Sequence, residues 1–201
     1  MSSLETPSLP SRGEKVIGAD PRSHHLVNGR VHICDPDPKW PYLFRQEEGR
    51  LRGVLGDRVL SLDHVGSTSV PGLAAKPCLD LLLAVADSAD EAAYVPDLEA
   101  AGYSLVIREP DWYEHRVLKG PGVNINLHVF TEGCAEIDRM RLLRDHLTED
   151  AGARERYTAV KRELAEHTWD RIQDYADAKT GIITELLDEA GASRDGSTGA
   201  G

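Results

Sequence analysis

Between residues 29 and 190 the spacing of apolar positions changes character several times, and each change predicts a different element. VHICDPD (31–37) reads as a short strand ending in a turn. Pro38 then opens an amphipathic helix in which Trp40, Leu43, Phe44, Leu51, Val54 and Leu55 fall at helical intervals. Strands are predicted over 59–65 and 78–86, the second with a core, LDLLLAV, apolar enough to be covered on both faces. DEAAYVPDLEAA (90–101) suggests a short helix interrupted near Pro96 and ended by Gly102. YSLVI, DWYEHRVLKG and NINLHVF resemble an antiparallel meander, with turns at Glu109-Pro110-Asp111 and Gly120-Pro121-Gly122. From 136 to 190 the pattern is helical throughout. The expected fold class is α+β: a mixed, largely antiparallel sheet followed by a helical C-terminal half.

The ends carry no such pattern. Residues 1–28 are rich in Ser, Pro, Gly and His, and GASRDGSTGAG (191–201) is small and polar, so both are expected to be tails flanking one domain over 29–190. His24-His25 lies in the first tail and is expected to be a stray pair, not a metal site. A chain of 201 residues can enclose one core of ordinary size. No apolar run is long enough to span a bilayer and the first twenty residues lack a hydrophobic signal core, so a soluble, cytoplasmic protein is expected. Cys34, Cys78 and Cys134 are widely separated and fit reduced, packed thiols. With 23 Lys and Arg against 34 Asp and Glu, the formal charge is −11. That excludes a general binder of nucleic acids or anionic membranes, and any phosphate must be held by a local cluster of cations.

Candidate chemistry concentrates in DHVGSTSVPGLAAKPCLDLLLAV (63–85). A Gly66-Ser67 pair at the end of a strand lets backbone N–H groups approach an anion, and the hydroxyls of Ser67, Thr68 and Ser69 add donors. A tight turn with capping serines would use the same residues. Lys76-Pro77 brings a positive charge to the lip of the next strand. Asp80 is embedded in that strand, where an ionised carboxylate costs several kcal/mol unless it is paired or metal-bound. In INLHVF, alternation places Ile125, Leu127 and Val129 on one face and Asn126, His128 and Phe130 on the other, so Asn126 and His128 look into one pocket.

HVGSTSVPGLAAKPCLDLLL, together with NLHVF, LLRDHL and two Tyr-x-x-x-Lys pairs, resembles the GrpB family, a branch of the nucleotidyltransferase superfold, over about 31–187. The resemblance implies an enzyme that transfers a nucleotidyl group from ATP or another NTP to an unknown small-molecule acceptor, or adenylylates it for ligation. Gly66 and Ser67 would then meet phosphates, Asp80 a divalent Mg or Mn ion, and His128 that metal or a proton. Asp80 and His128 are accordingly the expected catalytic and metal-binding residues, and Lys76 and Arg116 the expected partners of developing negative charge. Tyr157 with Lys161 and Tyr175 with Lys179 each share a helical face; Lys161, Tyr175 and Lys179 join the expected substrate contacts with Asn126. In LLRDHL, adjacent Arg144 and Asp145 are expected to serve different partners. GrpB-like domains also occur fused to dephospho-coenzyme A kinase, which suggests a small-molecule context.

One departure bears on the chemistry. The superfold pairs two carboxylates two residues apart on one strand, and this chain has Asp80-Leu81-Leu82. One Asp, one His and either Glu114 or His115 make a poorer Mg cage, and imidazole leans toward Zn, Mn or no metal. The missing carboxylate favours an alternative, a non-catalytic nucleotide or small-phosphate binding module. A third reading is a scaffold whose C-terminal helices bind a partner, with no nucleotide affinity.

Overall fold

A computed structural model describes residues 14–15, 26–27 and 29–198, with side chains over 29–192. Its strands are β1 (Glu14–Lys15), β2 (Leu26–Val27), β3 (Arg30–Val31), β4 (Ser61–Val65), β5 (Leu79–Val85), β6 (Ser104–Glu109), β7 (His115–Lys119) and β8 (Ile125–Thr131). Its helices are α1 (Trp40–Leu55), α2 (Val95–Ala100), α3 (Ala135–Glu149), α4 (Ala151–Glu166), α5 (Ile172–Asp177) and α6 (Thr180–Thr198). The main sheet runs β1-β6-β7-β8-β5-β4, with β2 and β3 as a separate pair. β5 and β8 are parallel and the remaining pairings of the main sheet are antiparallel. This is the α+β class that the pattern predicts.

LDLLLAV becomes an inner strand because it has apolar side chains for both faces. Leu79, Leu81, Leu83 and Val85 join Leu51 and Leu55 of α1, Val95 and Leu98 of α2, and Ile125, Leu127 and Val129 of β8 in the largest core cluster. On the opposite face Leu82 and Ala84 pack with Val65, Phe130 and Ile137. A third cluster ties Val70 and Leu73, from the β4–β5 loop, to Leu147, Ala153, Tyr157 and Leu186 of the helical half. That cluster decides the geometry of the site, because it holds the Gly-Ser loop against α3, α4 and α6.

Several local expectations are corrected. The first long helix begins at Trp40 with Pro41, not Pro38, in its opening turn. Pro96 begins α2, after a tight turn at Glu91–Ala93, and does not interrupt a helix. In both helices the proline sits where its missing N–H has no intrahelical acceptor to lose. Of the first predicted strand region, 31–37, only Val31 is in a strand, β3, which begins at Arg30; Cys34 beyond it forms an isolated bridge to Ala75. DWYEHRVLKG is a strand only from His115, since Tyr113 and Glu114 turn the chain with φ of 55° and 50°. α6 continues through 191–198, and Glu14–Lys15 and Leu26–Val27 pair as strands within the segment expected to be a tail. The rest of 1–28, including His24 and His25, and 199–201 lie outside the described residues. Among the described residues the three cysteines are free thiols, and no helix is long and apolar enough to cross a membrane.

Candidate functional site

Parallel pairing of β5 with β8 sets Asp80 beside Asn126 and Leu82 beside His128. Paired residues share a face, so Asp80, Asn126 and His128 project together, away from the largest core. Antiparallel pairing of β7 with β8 adds Val117 opposite His128 and Lys119 opposite Asn126. Above this face, α3, α4, α5 and the start of α6 close over a cavity of about 710 Å³. Gly66, Ser67 and Lys76 reach it from the β4–β5 loop, Arg144 from α3, Tyr157 and Lys161 from α4, Tyr175 from α5, and Lys179 from the turn before α6.

The loop fits closely against Asp80. Gly66 adopts φ 69° and ψ −174°, a combination that only glycine takes without strain. A Cβ there would overlap Asp80 Oδ2 and come within 3.0 Å of Asp80 Cβ. Asp80 Oδ1 accepts a hydrogen bond from Asn126 Nδ2 at 2.7 Å and lies 3.6 Å from His128 Nε2. Lys119 Nζ in turn donates to Asn126 Oδ1. Burial alone would raise the Asp80 pKa; the hydrogen bond and charge of His128, the charge of Lys76 and the bond from Asn126 outweigh it and hold the carboxyl at about 2.

Behind His128 lies a hydrogen-bonded chain. His128 Nδ1 is 3.1 Å from His115 Nε2, and His115 Nδ1 is 2.6 Å from Glu109 Oε2. The two imidazoles are stacked 5.2 Å apart, and His115 also stacks on Phe130. Burial brings His115 down to about pKa 4, against the opposing pull of Glu109. A neutral His115 donates Nδ1–H to Glu109 and accepts at Nε2, so His128 donates from Nδ1 and turns its Nε2 toward Asp80.

The wall is strongly cationic. Lys76, Lys119, Lys161, Lys179 and Arg144 line it, and among the described residues Asp80 is its single carboxylate. Burial lowers the pKa of Lys76, Lys119 and Lys179. Burial, followed by the charges of Lys179 and Arg162, takes Lys161 to about 7. Among the described residues the Lys76 ammonium makes no hydrogen bond or ion pair, while Lys179 lies 4.8 Å from the centre of the Tyr175 ring. The rest of the lining is largely apolar, with Val106, Ile107, Met140, Leu143, Leu147 and Ile183 among it.

The structure thus brings Gly66, Ser67, Lys76, Asp80, Asn126, His128, Lys161, Tyr175 and Lys179 to one cavity. Three expected contacts lie elsewhere. Thr68 is buried, donating from Oγ1 to the Cys78 carbonyl and lying 3.0 Å from His64 Nε2, and Ser69 Oγ donates to the Gly66 carbonyl. These hydroxyls build the turn and do not face the cavity. Arg116 is on the other face of the sheet, 2.6 Å from Glu91 and 3.1 Å from Glu114. Lys119, on the face of His115 and Val117, takes the place expected of it. Alternation along HRVLK carries that signal once His128 is known to face the pocket. Arg144 and Asp145 bond each other at 2.7 Å, while Arg144 also reaches Asp63, so the two adjacent residues do share a contact.

The donor set does not fit a divalent ion held by the chain alone. Asp80 Oδ1 is engaged by Asn126 and His128, Oδ2 is pressed on Gly66, and the position of a second carboxylate is Leu82, fully buried among Val65, Ala84, Phe130 and Ile137. Among the described residues no three His, Cys, Asp or Glu side chains gather as a metal cage. Glu114, weighed as a further ligand, is paired with Arg116, and His115 is bonded to Glu109 and His128.

A family model described as GrpB protein matches residues 30–189. UPF0157 protein BH1888 from Halalkalibacterium halodurans is 51% identical over 192 residues, 96% of this chain and 97% of that protein. The crystal structure of the conserved protein GrpB from Enterococcus faecalis matches with a TM-score of 0.70 at 30% identity, over 79% of this chain and 96% of that one. A dephospho-CoA kinase from Mycolicibacterium paratuberculosis is 30% identical over 183 residues, which span 78% of this chain and 45% of that protein.

Proposed function

The chain belongs to the GrpB family, and from that premise we propose that its cavity binds the phosphates of a nucleoside triphosphate and transfers a nucleotidyl group to a small-molecule acceptor. One observation carries the reading: in a chain of net charge −11, Lys76, Lys119, Lys161 and Lys179 gather around a single carboxylate, with Arg144, itself paired to Asp63 and Asp145, beside them. Like charges so confined repel, and an anionic ligand relieves the repulsion. Lys76, Lys119, Lys179 and Arg144 would neutralise the phosphates and the charge that develops on a pyrophosphate leaving group. The ring of Tyr175 and the apolar wall would take the rest of the ligand. His128 Nε2, kept in register by His115 and Asp80, can accept or return a proton at the reacting centre. A divalent ion, implied by the superfold, would arrive on the triphosphate, because the chain's own donors do not make a cage for it.

The test is calorimetric titration with ATP and with inorganic triphosphate. Lys76→Ala and Lys179→Ala are each expected to weaken binding about tenfold or more, and affinity is expected to fall steeply with added salt. Binding that ignores both lysines would overturn the reading. A second reading, binding without turnover, is favoured by Leu82 in place of the second carboxylate. It predicts the same titration and no labelled product after incubation with NTP and a metabolite extract.

A further inference from the structure

On the reading that a nucleoside triphosphate fills the loop end of this cavity, we propose that the acceptor is a carboxylic acid with an apolar body, held on the floor that β6 and β7 form, with its carboxylate beside Lys119. The floor begins at the reacting centre. Strand pairing sets Val117 of β7 opposite His128 and Lys119 opposite Asn126, and then Ile107 of β6 opposite Val117. Paired residues share a face, so Val117 and Ile107 lie two and three strands across the sheet from Asp80, roughly 10 and 14 Å at the ordinary strand spacing.

A β-bulge widens this floor. Leu105 pairs with Leu118 and Ile107 with Val117, which leaves Val106 as the extra residue of β6, and Val106 and Ile107 both line the cavity although they are adjacent. In a regular strand one of the two would face the core. Val106 and Val117 are 7% and 5% exposed, yet among the described residues neither joins the three apolar core clusters. Apolar surface that lines a cavity and is not claimed by the core suits the apolar part of a ligand.

Charge defines the other part. Lys161 donates to Ser67 Oγ at 3.1 Å and to the Ala74 carbonyl at 2.5 Å, which ties it to the loop. Lys76 enters from the same loop and Lys179 from the turn before α6. Of the four lysines, Lys119 is the one that rises from the sheet, two residues beyond Val117 on the same face and donating to Asn126. An apolar floor with an ammonium at its inner end fits an amphipathic acid. The chemistry agrees. A hydroxyl acceptor needs a base to take its proton. Asp80 is engaged through Oδ1 by Asn126 and His128, and through Oδ2 against Gly66, so His128 would have to serve alone. A carboxylic acid is already ionised at neutral pH and attacks without losing a proton. The step balances: a carboxylate oxygen bonds to the α-phosphorus, the bond from that phosphorus to the bridging oxygen breaks, and pyrophosphate leaves with the electron pair. The product is an acyl nucleotide, which an acyl transfer to an amine or thiol would consume.

Calorimetric titration of butanoate, hexanoate and octanoate into the chain, with and without α,β-methylene-ATP, tests this, with hexan-1-ol as the uncharged control. Affinity is expected to rise about threefold for each added methylene. Hexan-1-ol is expected to bind at least about tenfold more weakly than hexanoate. Ile107→Ser is expected to flatten the dependence on chain length, and Lys119→Met to erase the preference for acid over alcohol. With ATP, Mg²⁺ and hydroxylamine, which attacks the acyl carbon and releases AMP, mass spectrometry is expected to show the hydroxamate of hexanoate or octanoate. No acid binding on a chain that binds ATP, equal affinity for acid and alcohol, or no gain with chain length would each overturn the proposal. So would Ile107→Ser weakening ATP and sparing the acids, the mark of a nucleobase on this floor. Binding without hydroxamate would leave the acid a ligand and overturn it as the acceptor. Acids that bind as expected to a chain without affinity for ATP would leave the floor standing as their site and overturn the nucleotide reading instead.

Discussion

Leu82→Asp is expected to destabilise the fold by about 4 kcal/mol or more, although it supplies the second carboxylate two residues from Asp80 that the sequence resemblance implies. Leu82 has no exposed surface, and its neighbours are Val65, Ala84, Phe130 and Ile137. The substitution removes a packed side chain and places a carboxyl where nothing apolar can solvate it. With Asp80 on the same strand face, the two carboxylates would also repel. Denaturant melts with and without Mg²⁺ measure the cost. A variant as stable as the parent, or one restored by Mg²⁺, would mean that a metal pair fits here after all.

Acidification is expected to produce the second large effect. Burial lowers His115 from 6.5 to about 4, and burial lowers His64, stacked on Phe44, to about 4 as well. In the unfolded chain both take up a proton near 6.5, while in the folded chain they resist it down to about 4. The folded state therefore has its full stability above pH 6.5 and loses it as pH falls toward 4. The shift corresponds to at most about 3 kcal/mol for His115, which is 4% exposed, and less for the partly exposed His64. Asp80 adds its own loss only lower, between 3.8 and about 2. Urea midpoints measured from pH 7 to pH 4 check this. A flat profile would contradict the buried neutral imidazoles, and with them the hydrogen-bonded chain that orients His128.

Much of the site could be read from local pattern. Period-two alternation in INLHVF places Asn126 and His128 on one face, and the embedded charge of Asp80 signals a polar opening beside a strand otherwise apolar. Tyr175 and Lys179 do not share a helical face as expected, since α5 ends at Asp177 and Lys179 lies in the turn before α6, yet ring and ammonium still meet there. What escaped that reading depends on where elements begin. The turn through Tyr113 and Glu114 sets which face His115 takes, so Lys119, and not the expected Arg116, faces the cavity. Thr68 and Ser69 resemble phosphate donors by type, yet the tight turn at Ser67–Ser69 spends their hydroxyls on its own carbonyls and on Cys78. The link from Lys161 to Ser67 spans 94 positions and is set by helix packing, for which a single sequence carries no periodic signal.

The central claim is that lysines, not a resident metal, receive the anion. Titration of ATP in EDTA into the parent chain and into Asp80→Asn tests it most directly. Binding is predicted to persist without metal and to tighten, by up to about tenfold, when the one carboxylate that opposes the phosphates loses its charge. Binding that requires Mg²⁺ and vanishes in Asp80→Asn would contradict the account.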